Sequence, residues 1–79
     1  MDVPLDVSAL EPPEPMRQIL EALFDLADSD RLCVQHRREP FPLYSLLRRM
    51  GYRWRTEGED GRYELLIWSG DEPLQPKSA

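Results

Sequence analysis

Seventy-nine residues, 41% hydrophobic and 32% charged, make one small domain; folding takes its ~13,500 Å² of unfolded-chain surface to ~5,000 Å², enough for one modest core and no deep dry cavity. No apolar run approaches the ~20 residues of a membrane span. Met1-Asp2-Val3-Pro4 lacks the basic and hydrophobic regions of a signal peptide, and a lone Cys33 and a lone His36 exclude an internal disulfide and a self-contained Cys/His zinc site. The net charge of −5 divides into −7 over residues 1–30, +6 over 31–55 and −4 over 56–79.

The first predicted element is a strand at Val3, Leu5 and Val7, which alternate with polar residues and Pro4; a proline there marks a sheet edge. Glu11-Pro12-Pro13-Glu14-Pro15 opens a helix rigidly. Met16, Ile19, Leu20, Leu23, Phe24 and Ala27 then follow helical spacing, and Asp28-Ser29-Asp30 ends it. Ile19, Leu20, Leu23 and Phe24 are assigned to the core with Val3, Leu5 and Val7.

A second strand covers Arg31–His36, with Leu32 and Val34 inward and Cys33 and Gln35 outward. After a loop at Arg37 to Pro40, Pro42 sits in the first turn of a second helix that buries Leu43, Leu46, Leu47 and Met50 and stops at Gly51. Tyr52–Thr56 and Arg62–Trp68 read as a hairpin turning through Gly58-Glu59-Asp60-Gly61, with Tyr52, Trp54, Leu65 and Ile67 inward. The order is β-α-β-α-β-β. Right-handed crossovers place both helices on one face of a four-stranded mixed sheet, a two-layer α/β sandwich over residues 1–68. Residues 69–79, with Pro73 and Pro76, are expected to form a disordered tail.

Leu5-Asp6 followed by Leu10-Glu11-Pro12-Pro13-Glu14-Pro15 resembles the TusA-like (SirA-like) sulfur-carrier superfamily, in which a Leu-Asp strand leads to Cys-Pro-x-Pro at the first helix. The resemblance covers roughly residues 3–68 and implies a 1-2-4-3 strand order with the fourth strand antiparallel. It places Pro12 where the carriers hold a persulfide on cysteine. Proline has no thiol, so the carrier role does not transfer. His36-Arg37-Arg38-Glu39-Pro40-Phe41-Pro42-Leu43-Tyr44 resembles an uncharacterised, cysteine-lacking branch.

The sequence holds no Gly-rich phosphate loop, Ser-His-Asp set or metal motif, so the expectation is a non-enzymatic domain, without a cofactor, that uses the family fold to bind a protein partner or a small ligand. It is expected to be cytoplasmic, a monomer or a weak oligomer. Alternation of side chains puts Asp6, Cys33, Gln35, Arg53, Arg55, Glu64, Leu66 and Trp68 on the uncovered sheet face. Leu66 and Trp68, bordered by Arg53 and Arg55 and near Cys33, form the expected partner surface, an aromatic anchor with an arginine margin. A second candidate is the loop of His36, Arg37 and Arg38.

Two alternatives compete. Cys33 as a sulfur-relay or redox thiol is set against the inert role of most lone cysteines. An anion or nucleic-acid site built from Arg37, Arg38, Arg48, Arg49, Arg53 and Arg55 is set against a pI of about 4.7 and flanking acidic blocks; pairing of acids and bases within the domain is the expectation. Glu39 and Tyr44 show no distinctive spacing for acid/base work.

Overall fold

Six elements follow one another in the computed structural model, which describes residues 1–69: β1 (Asp2–Asp6), α1 (Glu14–Phe24), β2 (Arg31–His36), α2 (Phe41–Arg49), β3 (Tyr52–Glu59) and β4 (Arg62–Ser69). The sheet order is β1-β2-β4-β3, with β1 parallel to β2 and β4 antiparallel to both β2 and β3. This is the expected α/β sandwich. β4 runs one residue beyond the expected domain limit, and the rest of the proposed tail lies outside the described residues.

Both helices lie on one face, against strand residues that share one parity. Leu32 and Val34 of β2 and Leu65 and Ile67 of β4 form one cluster with Ile19 and Leu23 of α1 and Leu43 and Leu47 of α2. Register aligns Val3, Leu32, Ile67 and Trp54 in one row and Leu5, Val34, Leu65 and Thr56 in the next. Cross-strand neighbours of this kind carry most of a sheet's side-chain stabilisation.

Three expected core residues are outside the core: Leu46 is half-buried and is not among the side chains packed on the cluster, and the other two are exposed. Phe24 is 89% exposed and Met50 48%. The buried stripe of α1 is Pro15, Ile19 and Leu23, and at 100° per residue Phe24 falls roughly 140° around the helix from Ile19. The helix also ends at Phe24, before the expected aspartate cluster, and the chain folds back so that Leu26 packs on the core instead. Met50 occupies the C-cap of α2, one step before Gly51 at φ +85 turns the chain away. Leu20, Tyr52 and Trp54 are half-buried against the cluster, together with Leu10, Met16 and Tyr63.

The hairpin is tighter than the sequence suggests. Its loop is Asp60-Gly61 alone, at φ 50 and φ 83. Two consecutive left-handed residues are the type I′ turn that matches strand twist. Gly58, expected in the loop, is instead paired with Tyr63 within the ladder at φ +124. A Cβ there would run into the Arg62 carbonyl oxygen, so the close approach of the strands requires glycine.

Side chains from α2 and β3 join where the two elements meet. Tyr44 stacks on Trp54 with ring centroids 5.2 Å apart and planes 10° apart, and Phe41 meets Tyr44 edge-on at 5.9 Å. The Tyr44 hydroxyl donates to Glu39 Oε2 at 3.0 Å and lies 2.6 Å from Thr56 Oγ1. With its proton on Glu39, the phenol accepts the threonine hydroxyl hydrogen.

Candidate functional site

At the carboxyl ends of β1 and β2, the β1–α1 loop, the end of β2 and the β3–β4 hairpin enclose a depression of about 730 Å³. Ser8 comes from the loop, Gln35, His36 and Arg37 from the end of β2, and Glu57, Gly58, Gly61, Arg62, Tyr63 and Glu64 from the hairpin.

Local hydrogen bonds fix this rim. Asp6 Oδ1 accepts the Ser8 backbone N–H at 2.9 Å and its hydroxyl at 2.6 Å, and both bonds hold the carboxyl below its ordinary value. His36 Nδ1 accepts the Arg38 N–H at 3.1 Å. Burial, then the neighbouring Arg37 and Arg38, push the imidazole pKa down. The ring is therefore neutral near pH 7, with its proton on Nε2. Arg37 donates to the Leu10 carbonyl at 3.2 Å and pairs with Glu11 at 3.2 Å. Arg37 straps the proline-rich loop to the end of β2.

The sequence-predicted residues divide between two places. His36 and Arg37 line the depression, whereas Arg38 does not and instead donates its backbone N–H to His36. Cys33, Arg53, Arg55, Leu66 and Trp68 lie on the uncovered face, as alternation predicts. There the register sets Asp2, Arg31, Trp68 and Arg53 in one row, then Pro4, Cys33, Leu66 and Arg55, then Asp6, Gln35, Glu64 and Glu57.

The exposed aromatic anchor is corrected. Trp68 is only 6% exposed and Leu66 is half-buried. Arg31 and Arg53 flank the indole in its row, and arginine stems cover apolar neighbours while their charges stay in water. Arg31 is further held by Asp2 at 2.7 Å.

Cys33 is half-buried. It borders a shallow cleft of about 250 Å³ with Arg55, Glu64 and Leu66. Burial first, then the charges of Asp2 and Glu64, push the thiol pKa up, and Arg31 offsets only part of this. A reactive thiolate needs the opposite environment. Tyr44 also titrates above its ordinary value, mainly through burial, so it remains a neutral donor to Glu39.

The arginines do not gather on one surface. Arg48 and Arg49 are exposed in the last turn of α2, where they complement the helix dipole. Arg53 and Arg55 are on the open face, and Arg37 is paired with Glu11. Pro12 is exposed just before Pro13, the N-cap of α1. Sequence reasoning missed Ser8 and Tyr63 in the depression. The strand-end position of Tyr63 and the Asp6-x-Ser8 spacing were the available signals.

Fold and site together define a small two-layer α/β domain with a depression lined by polar side chains at its strand ends. The chain belongs to a family of uncharacterized conserved proteins, DUF2249, whose match spans residues 4–69. No curated protein and no solved structure matches it.

Proposed function

We propose that this chain is a small non-enzymatic binding domain, related to the TusA-like carriers without their thiol, that holds a protein partner at the strand-end depression. One observation carries the reading: His36 is held neutral, with Nδ1 occupied by the Arg38 N–H, on a rim that also presents Ser8, Tyr63 and Glu64. That mixture of donors and acceptors suits the backbone and polar side chains of a protein segment. The strapped Arg37 and the Asp6–Ser8 turn keep the rim organised before binding, which lowers the ordering cost.

Amide chemical-shift mapping during titration with the products of neighbouring genes tests this. Changes at Ser8, His36, Gly61 and Tyr63, lost in His36→Ala, support the reading. Changes confined to Cys33, Leu66 and Trp68 refute the site. Incubation with a persulfide donor followed by intact-mass measurement tests the sulfur-relay alternative: a gain of one sulfur atom, abolished by Cys33→Ala, refutes a pure binding role.

A further inference from the structure

The two edges of the sheet differ in their backbone chemistry. The Arg31 N–H donates to the Met1 carbonyl and the Gln35 carbonyl accepts from the Val7 N–H, both at 2.9 Å. Arg31 and Gln35 therefore direct their backbone groups to β1. By alternation, Leu32, Val34 and His36 direct theirs to β4. Their partners are Ile67, Leu65 and Tyr63, so Arg62, Glu64, Leu66 and Trp68 turn toward β3. On β3 the matching residues are the odd-numbered ones, Arg53 to Glu59. Tyr52, Trp54, Thr56 and Gly58 are left with N–H and C=O groups on the outer edge.

On β1 the outward backbone groups belong to Asp2, Pro4 and Asp6. Pro4 has no N–H, so that short edge is interrupted as a template for another strand. β3 has eight residues and no proline, and among the described residues it pairs with β4 alone.

We infer that β3 is a self-association edge, pairing antiparallel with β3 of a second copy of this chain about a twofold axis at Thr56. Hydrogen bonding requires the outward residues of one strand to face those of the other, so the axis must fall on a residue rather than between two. Centring on Thr56 sets Arg53 against the partner's Glu59 and Arg55 against the partner's Glu57, each twice by symmetry. All four contacts are attractive. Centring on Arg55 instead opposes two arginines, and centring on Glu57 opposes two glutamates, which cross-strand pairing disfavours. On the other face, Gly58 has no side chain to obstruct the partner's Trp54. The result is a continuous eight-stranded sheet with an isologous interface.

Sedimentation velocity of the full chain over a concentration series tests the inference. A species of twice the 9.3 kDa monomer mass should grow with concentration. Arg55→Glu alone and Glu57→Arg alone each turn two attractions into repulsions and should weaken dimerisation about tenfold or more. The double variant R55E/E57R restores opposite charges and should recover it, with far-UV circular dichroism confirming that all variants fold. A chain that stays monomeric throughout overturns the inference. So does a dimer indifferent to both reversals, a double variant as weak as the singles, or a dimer abolished by Phe24→Ala on the exposed face of α1.

Discussion

Leu23 and Phe24 are consecutive large apolar residues on α1, yet one is 1% exposed and the other 89%. Their contrast tests the phase of the helix directly. Leu23→Ala removes three buried carbons from the centre of the cluster and should cost about 2–5 kcal/mol, depending on how far the site collapses. A domain of this length holds only about 4–12 kcal/mol in total, so the variant should be severely weakened. Each kilocalorie lowers the melting temperature of a domain this size by roughly 4–8 °C. Phe24→Ala, by contrast, removes a ring that is already in water. It should change stability by no more than about 0.5 kcal/mol, with the better helix propensity of alanine favouring a slight gain. Thermal and urea unfolding of both variants, followed by circular dichroism at 222 nm, provide the assay. Comparable losses in the two variants would refute the helix phase, and with it the placement of Ile19 at the centre of the buried stripe.

His36 should make stability depend on pH in one direction. Its folded pKa lies below its ordinary value of 6.5, so the unfolded chain takes up the proton first; stability is intact above that value and declines as pH falls through it. The decline should level off once the folded imidazole also titrates, and His36→Gln should remove this component from urea midpoints measured between pH 8 and 5; identical slopes in the two proteins would contradict it. Cys33 should react with iodoacetamide with a midpoint above that of an ordinary thiol, because burial and the Asp2 and Glu64 charges oppose the thiolate. Asp2→Asn should bring it part of the way back, and a midpoint well below about 8.5 would revive the sulfur-relay chemistry.

Much of the architecture is legible in local periodicity. The Leu32/Val34 alternation defines β2 at Arg31–His36, and Pro42 and Gly51 bracket α2 closely. The strand order came through the resemblance, because periodicity does not say which strands become neighbours. Alternation puts Trp68 on the correct face, but its 6% exposure is not legible in local sequence, because its cross-strand neighbours Arg31 and Arg53 lie 37 and 15 residues away. The Glu39–Tyr44–Thr56 chain was invisible for the same reason: its last bond spans two elements. The extra turn assigned to α1 reflects apolar residues with helical spacing that the tertiary fold uses differently, with Leu26 rather than Phe24 returning to the core.

The division of charge along the chain acquires a physical meaning once strand positions are known. Acids of the first block meet arginines of the second within the chain, as in Asp2–Arg31 and Glu11–Arg37. The boundary between the basic and the second acidic block falls inside β3, immediately before Thr56. On the open face, that boundary gives a strand with Arg53 and Arg55 on one side of Thr56 and Glu57 and Glu59 on the other. A strand protected from self-pairing is better served by charges of one sign, which repel in every register. A pattern that changes sign at its midpoint does the reverse, because it is complementary to itself when run backward. Arg55 and Glu57 also approach each other within the strand at 3.2 Å, but both remain about two-thirds exposed, and such a pair contributes little to the fold. Its charges remain available to a second strand arriving at the same edge.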